Sequence, residues 1–248
     1  MMQYTAVSKK GTKREFNNDR VFAGNNLING ECSVDLVTGP FAAVVCDGVG
    51  TEKAGGIAAG IAAKSFIDFN VAEASLLSLS ARLRSANKRV LEKQKNSQKT
   101  MAAAVAGIMI ANGNYMIFNI GDTRVYKYSG GTLRQISVDH TRAQQMLNTG
   151  EITNINQASK EEQNTLTGYI GGFGGACRPA VTRGSIRGEK GYFLICSDGV
   201  YKGITKTNLE NIFAANSDIE EKKRAVCKLA LKNSSADDMS MVLIKFAE

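Results

Sequence analysis

Residues 101–128, MAAAVAGIMIANGNYMIFNIGDTRVYKY, contain three β-rich runs in succession, at 102–111, 114–120 and 123–128. Periodicity predicts further elements, which are strands 2–8, 41–46, 192–197 and 240–246 and helices 54–69, 72–95, 139–148, 207–215 and 219–232. Two long helices therefore separate the first strands from the run at 101–128. This order lacks the regular strand-helix alternation of a parallel sheet, so we predict an α+β fold with antiparallel sheets.

The composition is that of an ordinary soluble globular protein. Of 248 residues, 43% are hydrophobic and 22% are charged, which suits one domain, 1–248, with a sizeable core. The longest apolar run, 101–110, is about half of the ~18 residues that span a bilayer, so we expect no membrane segment. The first residues lack the apolar core of a signal peptide, and the five cysteines lack CxxC spacing. We therefore expect a cytoplasmic protein without a disulfide framework or a zinc site.

The formal net charge of +8 is concentrated in three basic clusters, at 9–14, 82–99 and 222–232. A basic excess favours anionic partners, among them nucleic acid, acidic lipid and phosphorylated protein. A solvated helix face explains the clusters 82–99 and 222–232. None of the three contains the aromatic residues that a stacking platform for single-stranded nucleic acid needs. We therefore expect no nucleic-acid partner.

Five aspartates lie at the ends of short apolar runs or beside glycine, and they are Asp19, Asp47, Asp122, Asp198 and Asp237. Three of the runs, AVVCDG, FNIGD and LICSDG, repeat one arrangement, an apolar strand with an acid at its end. Asp-Gly is also a turn signal, so one such aspartate alone indicates only a turn. An unpaired buried carboxylate is costly, however, and several that converge on one point indicate a site for divalent cations.

Six short motifs follow one another from residue 14 to residue 246. They are Arg14-x-x-Asn17-x-Asp19, Asp47-Gly48-Val49-Gly50, Gly121-Asp122-Thr123-Arg124, Asp139-His140, Ser197-Asp198-Gly199 and Asp237-Asp238-Met239-Ser240. Together they resemble the metal-dependent serine/threonine protein phosphatases known as PP2C or PPM, and bacterial members in particular. The resemblance implies a four-layer αββα sandwich, in which two antiparallel sheets pack face to face between helices. It also implies a flap-like insertion around 149–190, where the sequence is polar and rich in glycine.

The resemblance implies two Mn²⁺ or Mg²⁺ ions and a third, weaker one. The implied ligands are Asp47 as the bridge between the two ions, the Gly48 carbonyl, Asp19, Asp198 and Asp237 around them, and Asp122 with Asp198 at the third. The residue types agree, because oxygen ligands suit Mg²⁺ and Mn²⁺, whereas zinc or copper would require histidine or cysteine near the acids. Such a pair of ions can activate a shared water and clamp the phosphoryl oxygens during in-line displacement.

The expected activity is hydrolysis of phosphoserine and phosphothreonine in proteins, opposing a serine/threonine kinase. Asp47 is the expected centre of catalysis, since the activated water needs both ions. Arg14 precedes Asp19 by five residues and offers a planar guanidinium fork to phosphate oxygens. The alternative for Arg14 is a surface residue of a basic loop.

The sequence departs from the family pattern at four positions. Asn18 replaces an acid, which predicts a weaker shell around the second ion. Val49 replaces the histidine that many eukaryotic members carry, so the general acid is unassigned. The other two departures are Thr51 for a glycine and Asp238 for an asparagine.

Two other functions fit parts of the sequence. Cys177 and Arg183 have the Cys-x5-Arg spacing of cysteine-dependent phosphatases, although Pro179 removes one backbone amide from the loop between them. A chain of the same fold with an impaired metal centre could instead bind phosphoproteins as an adaptor. The single histidine, His140, lies at the start of a predicted helix, where a capping or packing role is the commoner one.

Overall fold

A computed structural model describes residues 2–50, 53–173, 177–234 and 236–247. In these ranges the strands are β1 Met2–Lys9, β2 Arg20–Ala23, β3 Asn26–Ile28, β4 Gly30–Val37, β5 Phe41–Gly50, β6 Met101–Ala111, β7 Asn114–Ile120, β8 Arg124–Ser129, β9 Thr132–Gln135, β10 Ala180–Ser185, β11 Gly191–Cys196 and β12 Met239–Phe246. The helices are α1 Ala54–Lys64, α2 Leu76–Ser97, α3 Arg142–Thr149, α4 Lys160–Asn164, α5 Asp198–Tyr201, α6 Lys206–Ala214 and α7 Ile219–Ser234, with a 3-10 turn at Ile155–Gln157.

The strands form two six-stranded sheets. Sheet A has the order β4-β1-β12-β11-β8-β9, and sheet B has the order β10-β7-β6-β5-β2-β3. Neighbouring strands within both sheets pair antiparallel. The predicted α+β class and the predicted arrangement of two antiparallel sheets between helices are confirmed.

Three hydrophobic clusters lie between the four layers. One joins α1 and α2 to the outer face of sheet B, and it includes Phe66 and Leu83. The second lies between the sheets and includes Phe193 and Ile244. The third joins α6 and α7 to the outer face of sheet A. Because the core strands are covered on both faces, their sequences are largely apolar runs, as at 101–111 in the quoted segment.

The regular segments of the sequence were predicted correctly in type and approximate position. Strands 2–8, 41–46, 102–111, 114–120, 123–128, 192–197 and 240–246 correspond to β1, β5, β6, β7, β8, β11 and β12. The helix predicted at 139–148 begins instead at Arg142, because the Thr141 side chain accepts a hydrogen bond from the Gln144 amide and caps it. The predicted insertion at 149–190 contains β10, the edge strand of sheet B, so its last part belongs to the sheet.

The basic cluster 222–232 is not wholly a solvated helix face. Lys222 and Lys223 are each 1% exposed, against the expectation of a solvated cluster. The ammonium group of Lys222 donates to the Ile212 and Ala215 carbonyls at the end of α6, and that of Lys223 donates to the Cys32 carbonyl in β4. Within the described ranges, no helix is both long enough and apolar enough to cross a membrane.

Candidate metal centre

The five aspartates lie at one end of the sandwich, because the strands that carry them end or begin there. In sheet B, Arg20 pairs with Cys46, so the next positions of the same register are Asp19 and Asp47. In sheet A, Asp198 lies two residues after the end of β11, and Asp237 lies two residues before the start of β12, which pairs with β11. Asp122 lies in the connection from β7 to β8, where the chain passes from one sheet to the other.

Close contact between β5 and α1 fixes the backbone beside Asp47. A Cβ atom at Gly48 would lie 2.4 Å from the carbonyl carbon of Gly55, and one at Gly55 would lie 2.5 Å from the Gly48 oxygen. Glycine is therefore required at both positions. The small residues of α1, with Ala54 and Ala58 buried, allow the helix to lie against the sheet at this point.

Asp19 is buried and is held by serines of sheet A. The Ser197 hydroxyl donates a 2.7 Å hydrogen bond to Oδ2 of Asp19 and accepts one from the Ser240 amide at 3.0 Å. Burial raises the pKa of the Asp19 carboxyl to about 8, although the hydrogen bonds of Ser197 and Ser240 lower it. Ionisation of Asp19 therefore costs free energy in the metal-free protein, and a bound cation would remove that cost.

Asp238 organises the loop that carries Arg14 and Asp19. Its side chain is 4% exposed, and its two oxygens accept hydrogen bonds from the amides of Gly11, at 2.9 Å, and Asn18, at 2.7 Å. The Asn18 side chain in turn accepts a 3.0 Å hydrogen bond from the Gly56 amide in the first turn of α1. The structure thus gives Asn18 a role at a helix N-terminus, where an amide oxygen serves as well as a carboxylate.

Asp47 lies among the other acids. Burial, followed by the charges of Asp19, Asp198, Asp122 and Asp237 in that order, holds its pKa well above the ordinary value. The same two causes, burial and the Asp198 charge, raise the pKa of Asp122 to about 6. Among the residues that the structure describes, no ion pair involves Asp19, Asp47 or Asp122. This end of the sandwich has an excess of negative charge.

Arg14 and Lys202 are cations at the edge of the acids. Nε and Nη2 of Arg14 lie 2.8 and 2.6 Å from Oδ1 of Asp237, and the Arg14 side chain is 47% exposed. Nζ of Lys202 lies 2.7 Å from Oδ2 of Asp198. The structure thus places Arg14 at the rim of the acids, where it pairs with one of the predicted ligands.

The residues present fit hard divalent cations. In the described part of the chain, no three side chains of His, Cys, Asp or Glu are grouped so that they could hold an ion by themselves. A set of separate carboxylates completed by a backbone carbonyl and water suits Mg²⁺ and Mn²⁺, which keep several water ligands. The uncompensated charge around Asp47 is the physical observation that favours such ions here.

The remaining predicted residues lie away from the acids or have structural contacts. Cys177 is buried, its thiol contacts the Leu83 carbonyl at 3.6 Å, and burial raises its pKa to about 11. A thiol so protonated is a poor nucleophile, which argues against a cysteine-dependent phosphatase. His140 packs under the segment that follows α4, where a Cβ on Gly168 would lie 2.5 Å from the His140 Nδ1. Thr51 lies outside the described residues.

Comparison with known proteins agrees with this geometry. The family model described as protein phosphatase 2C matches residues 25–232, a range that includes Asp47, Asp122 and Asp198. The chain belongs to the protein phosphatase 2C family. The serine/threonine phosphatase stp of Listeria welshimeri is 26% identical to it over 217 residues, which are 82% of this chain and 83% of that protein. The serine/threonine protein phosphatase PstP of Mycobacterium tuberculosis is 26% identical over 98% of the chain, which spans 45% of PstP.

Solved structures of bacterial family members share the fold. The S. agalactiae serine/threonine phosphatase superimposes with a TM-score of 0.86 at 18% identity, and the match covers 100% of both chains. The catalytic domain of PstP, crystallised with two manganese ions, gives a TM-score of 0.78 at 22% identity and covers 100% of this chain and 99% of that one. The PP2C-type sandwich expected from the six motifs is therefore confirmed.

Several residues of the site were not identified from the sequence. Asn164 lies far from the aspartates along the chain, and Lys202 was not singled out although it follows Asp198 by four residues. Ser240 ends the sixth motif but was given no role there. The spacing of Asp198 and Lys202 on a helical turn is a signal that could have indicated their ion pair. The contacts of Ser240 with Ser197 and of Asn164 with Lys202 could not be predicted, because they depend on how β12 and α4 pack in the folded chain.

Proposed function

We propose that this PP2C-family chain is a metal-dependent protein phosphatase that hydrolyses phosphoserine and phosphothreonine by in-line attack of water. The observation that carries the proposal is the position of Asp47, which lies in the field of four further carboxylates and has no ion pair with a described residue. A structural core gains nothing from such a cluster. A phosphatase needs it, because the cations it attracts also attract phosphate. Two relatives named serine/threonine phosphatases support the choice of substrate.

We assign two Mn²⁺ or Mg²⁺ ions to Asp47, Asp19, Asp198, Asp237 and the Gly48 carbonyl. When bound, the ions would supply Lewis-acid activation of the attacking water and charge for the phosphoryl oxygens. The chain's own part is to fix the acids: Ser197 orients Asp19, and the Gly48–Gly55 contact fixes the backbone next to Asp47. Val49 is 45% exposed at this face and has no ionisable group, so the leaving group takes its proton from another donor.

Arg14 is the proposed phosphate-binding residue. Its guanidinium is exposed, lies at the rim of the acids and interacts with Asp237, Asp238 and Asp47. When Asp237 ligates an ion, the guanidinium would be available to a phosphoryl group. Arg14→Ala is expected to raise KM about tenfold with a small change in kcat, because the contact is shared by the ground and transition states. Steady-state kinetics on a phosphothreonine peptide would measure this, and an unchanged KM with a collapsed kcat would confine the role of Arg14 to the transition state.

The substrates we propose are phosphorylated proteins that a serine/threonine kinase produces. We propose a single catalytic domain over 1–248, in which the segment after α3 acts as the flap beside the site. A cytoplasmic location is supported by the five thiols, which are free in the structure and suit a reducing compartment.

The test is hydrolysis of a phosphothreonine peptide by purified protein with Mn²⁺, with Mg²⁺, with excess EDTA, and after thiol alkylation. We expect turnover that requires metal and survives alkylation, and that is absent from the Asp47→Asn variant. Turnover that survives EDTA and is lost on alkylation would replace the proposal by chemistry at Cys177. Tight phosphopeptide binding without turnover under any metal condition would make the chain an adaptor.

A further inference from the structure

The ammonium group of Lys202 lies at the carboxylates that would hold a third ion. Its Nζ is 2.7 Å from Oδ2 of Asp198 and donates a second hydrogen bond, of 2.8 Å, to Oδ1 of Asn164. Lys202 also interacts electrostatically with Asp122. The adjacent Tyr201 hydroxyl donates to Oδ2 of Asp122 at 3.4 Å. The family resemblance assigns both carboxylates to a third ion, and each accepts a hydrogen bond from one of two adjacent residues, Tyr201 and Lys202.

The Lys202 contact with Asp198 is built into the local structure. Asp198 is the first residue of α5, and the Lys202 amide donates to the Asp198 carbonyl at 3.0 Å, which closes the turn and brings the two side chains to the same face. On the other side, Asn164 ends α4, which is capped by the Ser159 side chain. Lys202 is therefore held from two separate parts of the chain, the site and the segment beside it.

A divalent ion between Asp122 and Asp198 would compete with this ammonium group. Lys202 occupies one of the two Asp198 oxygens, and its charge would oppose a cation held by the same carboxylate. Opposite charges at such distances favour ionised carboxylates by about one to three pKa units, and like charges repel by similar amounts. The lysine already supplies positive charge at this point of the site.

We propose, on the basis of the proposed function, that Lys202 takes the place of the third metal ion at Asp122 and Asp198. The protein then binds two ions tightly, and the third position holds a side-chain cation that also contacts α4 through Asn164. Substitution of Lys202 by an uncharged residue should open the position to a metal ion.

The experiment is titration of MnCl₂ into EDTA-stripped protein, with bound Mn²⁺ counted by electron paramagnetic resonance of the free ion. We compare wild type with Lys202→Met, which keeps the length of the side chain, and Lys202→Arg, which keeps the charge. Lys206→Ala, an exposed lysine at the start of α6, is the control. We expect two bound ions in wild type, Lys202→Arg and Lys206→Ala, and three in Lys202→Met. The affinity of Lys202→Met for the third ion should exceed that of wild type by at least about tenfold, the equivalent of one pKa unit.

The outcomes separate this proposal from the one on which it rests. Two ions in both wild type and Lys202→Met would overturn the role of Lys202 and leave the two-ion phosphatase intact. Three ions in wild type would overturn it as well. If wild type binds no Mn²⁺ and hydrolyses no phosphothreonine peptide, the proposed function fails and this inference fails with it. Far-ultraviolet circular dichroism of each variant verifies that the fold is retained.

Discussion

Two regions of the molecule bury charged side chains, and they differ in whether those side chains have partners that compensate the charge. On α7, Nζ of Lys222 donates to the carbonyls of Ile212, at 2.9 Å, and Ala215, at 2.6 Å. Its neighbour Lys223 lies 2.8 Å from the Glu220 carboxylate. At the acid end of the sandwich, Asp47 lies among further acids, and no ion pair of the described residues involves it. Both regions bury charge, but Asp19, Asp47 and Asp122 have no ion pair with any residue that the structure describes.

Buried charge can thus serve packing, as at Lys222, or function, as at the acids. A buried cation that is bonded on all sides stabilises the packing around it and needs no ligand. A buried group of like charges destabilises the fold until an ion binds, so its retention indicates function.

Asp47→Asn should lower the activity of the protein and raise the stability of its metal-free form. Loss of the central carboxylate should lower kcat on a phosphothreonine peptide by about 10³-fold or more, the size of effect of a lost preorganised charge contact. The metal-free variant should unfold at a higher temperature than metal-free wild type, because one repelling charge is gone. Peptide turnover and a thermal melt in EDTA would measure both, and near-normal activity would refute the assignment of Asp47.

Metal removal should make stability strongly dependent on pH. The Asp19 pKa is about 8 in the folded protein, against 3.8 for the ordinary carboxyl. Between these two pH values the folded metal-free protein therefore binds more protons than the unfolded chain. The stability that protonated Asp19 contributes to the fold is therefore fully present below about pH 3.8 and is lost as pH rises through about 8. In EDTA, Tm should fall between pH 6 and pH 8.5 by at least about 2–4 °C, the shift that 1 kcal/mol gives at this size.

Mn²⁺ should abolish this fall, because the bound ion takes the place of the proton. The control is Asp19→Asn, which keeps an acceptor for Ser197 and should show a flatter profile in EDTA. Equal profiles for the two proteins would mean that the Asp19 charge is compensated in some other way.

Lys222→Met tests the second region. The substitution leaves the two carbonyls unpaired, so we expect the free energy of unfolding to fall by about 1–3 kcal/mol. Metal binding and kcat should be unchanged. Chemical denaturation beside Lys228→Met, an exposed position of the same helix, gives the comparison. A loss of metal binding in Lys222→Met would show that the two regions are coupled.

Asn164→Ala should have the smallest effect. It removes the contact of α4 with Lys202 and leaves the acids untouched, so we expect KM to rise by less than about threefold, as for one exposed hydrogen bond. Limited proteolysis should cut the segment 150–165 faster than in wild type. The matched control is Asn148→Ala on α3, whose side chain bonds to Gln144 instead. Equal cleavage rates in the two variants would remove any role for the Asn164 contact.

The sequence predicted the core of this fold because the buried strands carry their own signal. Runs such as 101–111 are apolar throughout, and Asp122 and Asp198 each follow the end of a strand by two residues. The strands that escaped prediction, β2, β3, β4, β9 and β10, are short or lie at sheet edges. In β4 and β10 most side chains are partly or fully exposed, so pairing with a neighbour, not a hydrophobic pattern, forms the strand.

The site was predicted as far as local motifs reach. Each aspartate could be identified from its own strand and glycine, but its surroundings could not. The weaker metal shell expected from Asn18 stays a prediction. Its hydrogen bond to the first turn of α1 was not foreseen, because that contact depends on the docking of the helix. Lys202 and Asn164 meet only because α4 lies beside α5 in the folded chain.

The most direct test of the central claim is a crystal structure of the protein grown with MnCl₂, with anomalous scattering recorded at the manganese edge. The account predicts two strong anomalous peaks in contact with Asp47, Arg14 released from Asp237, and Lys202 still against Asp198. No anomalous peak at these acids would contradict the claim that their uncompensated charge exists to bind metal.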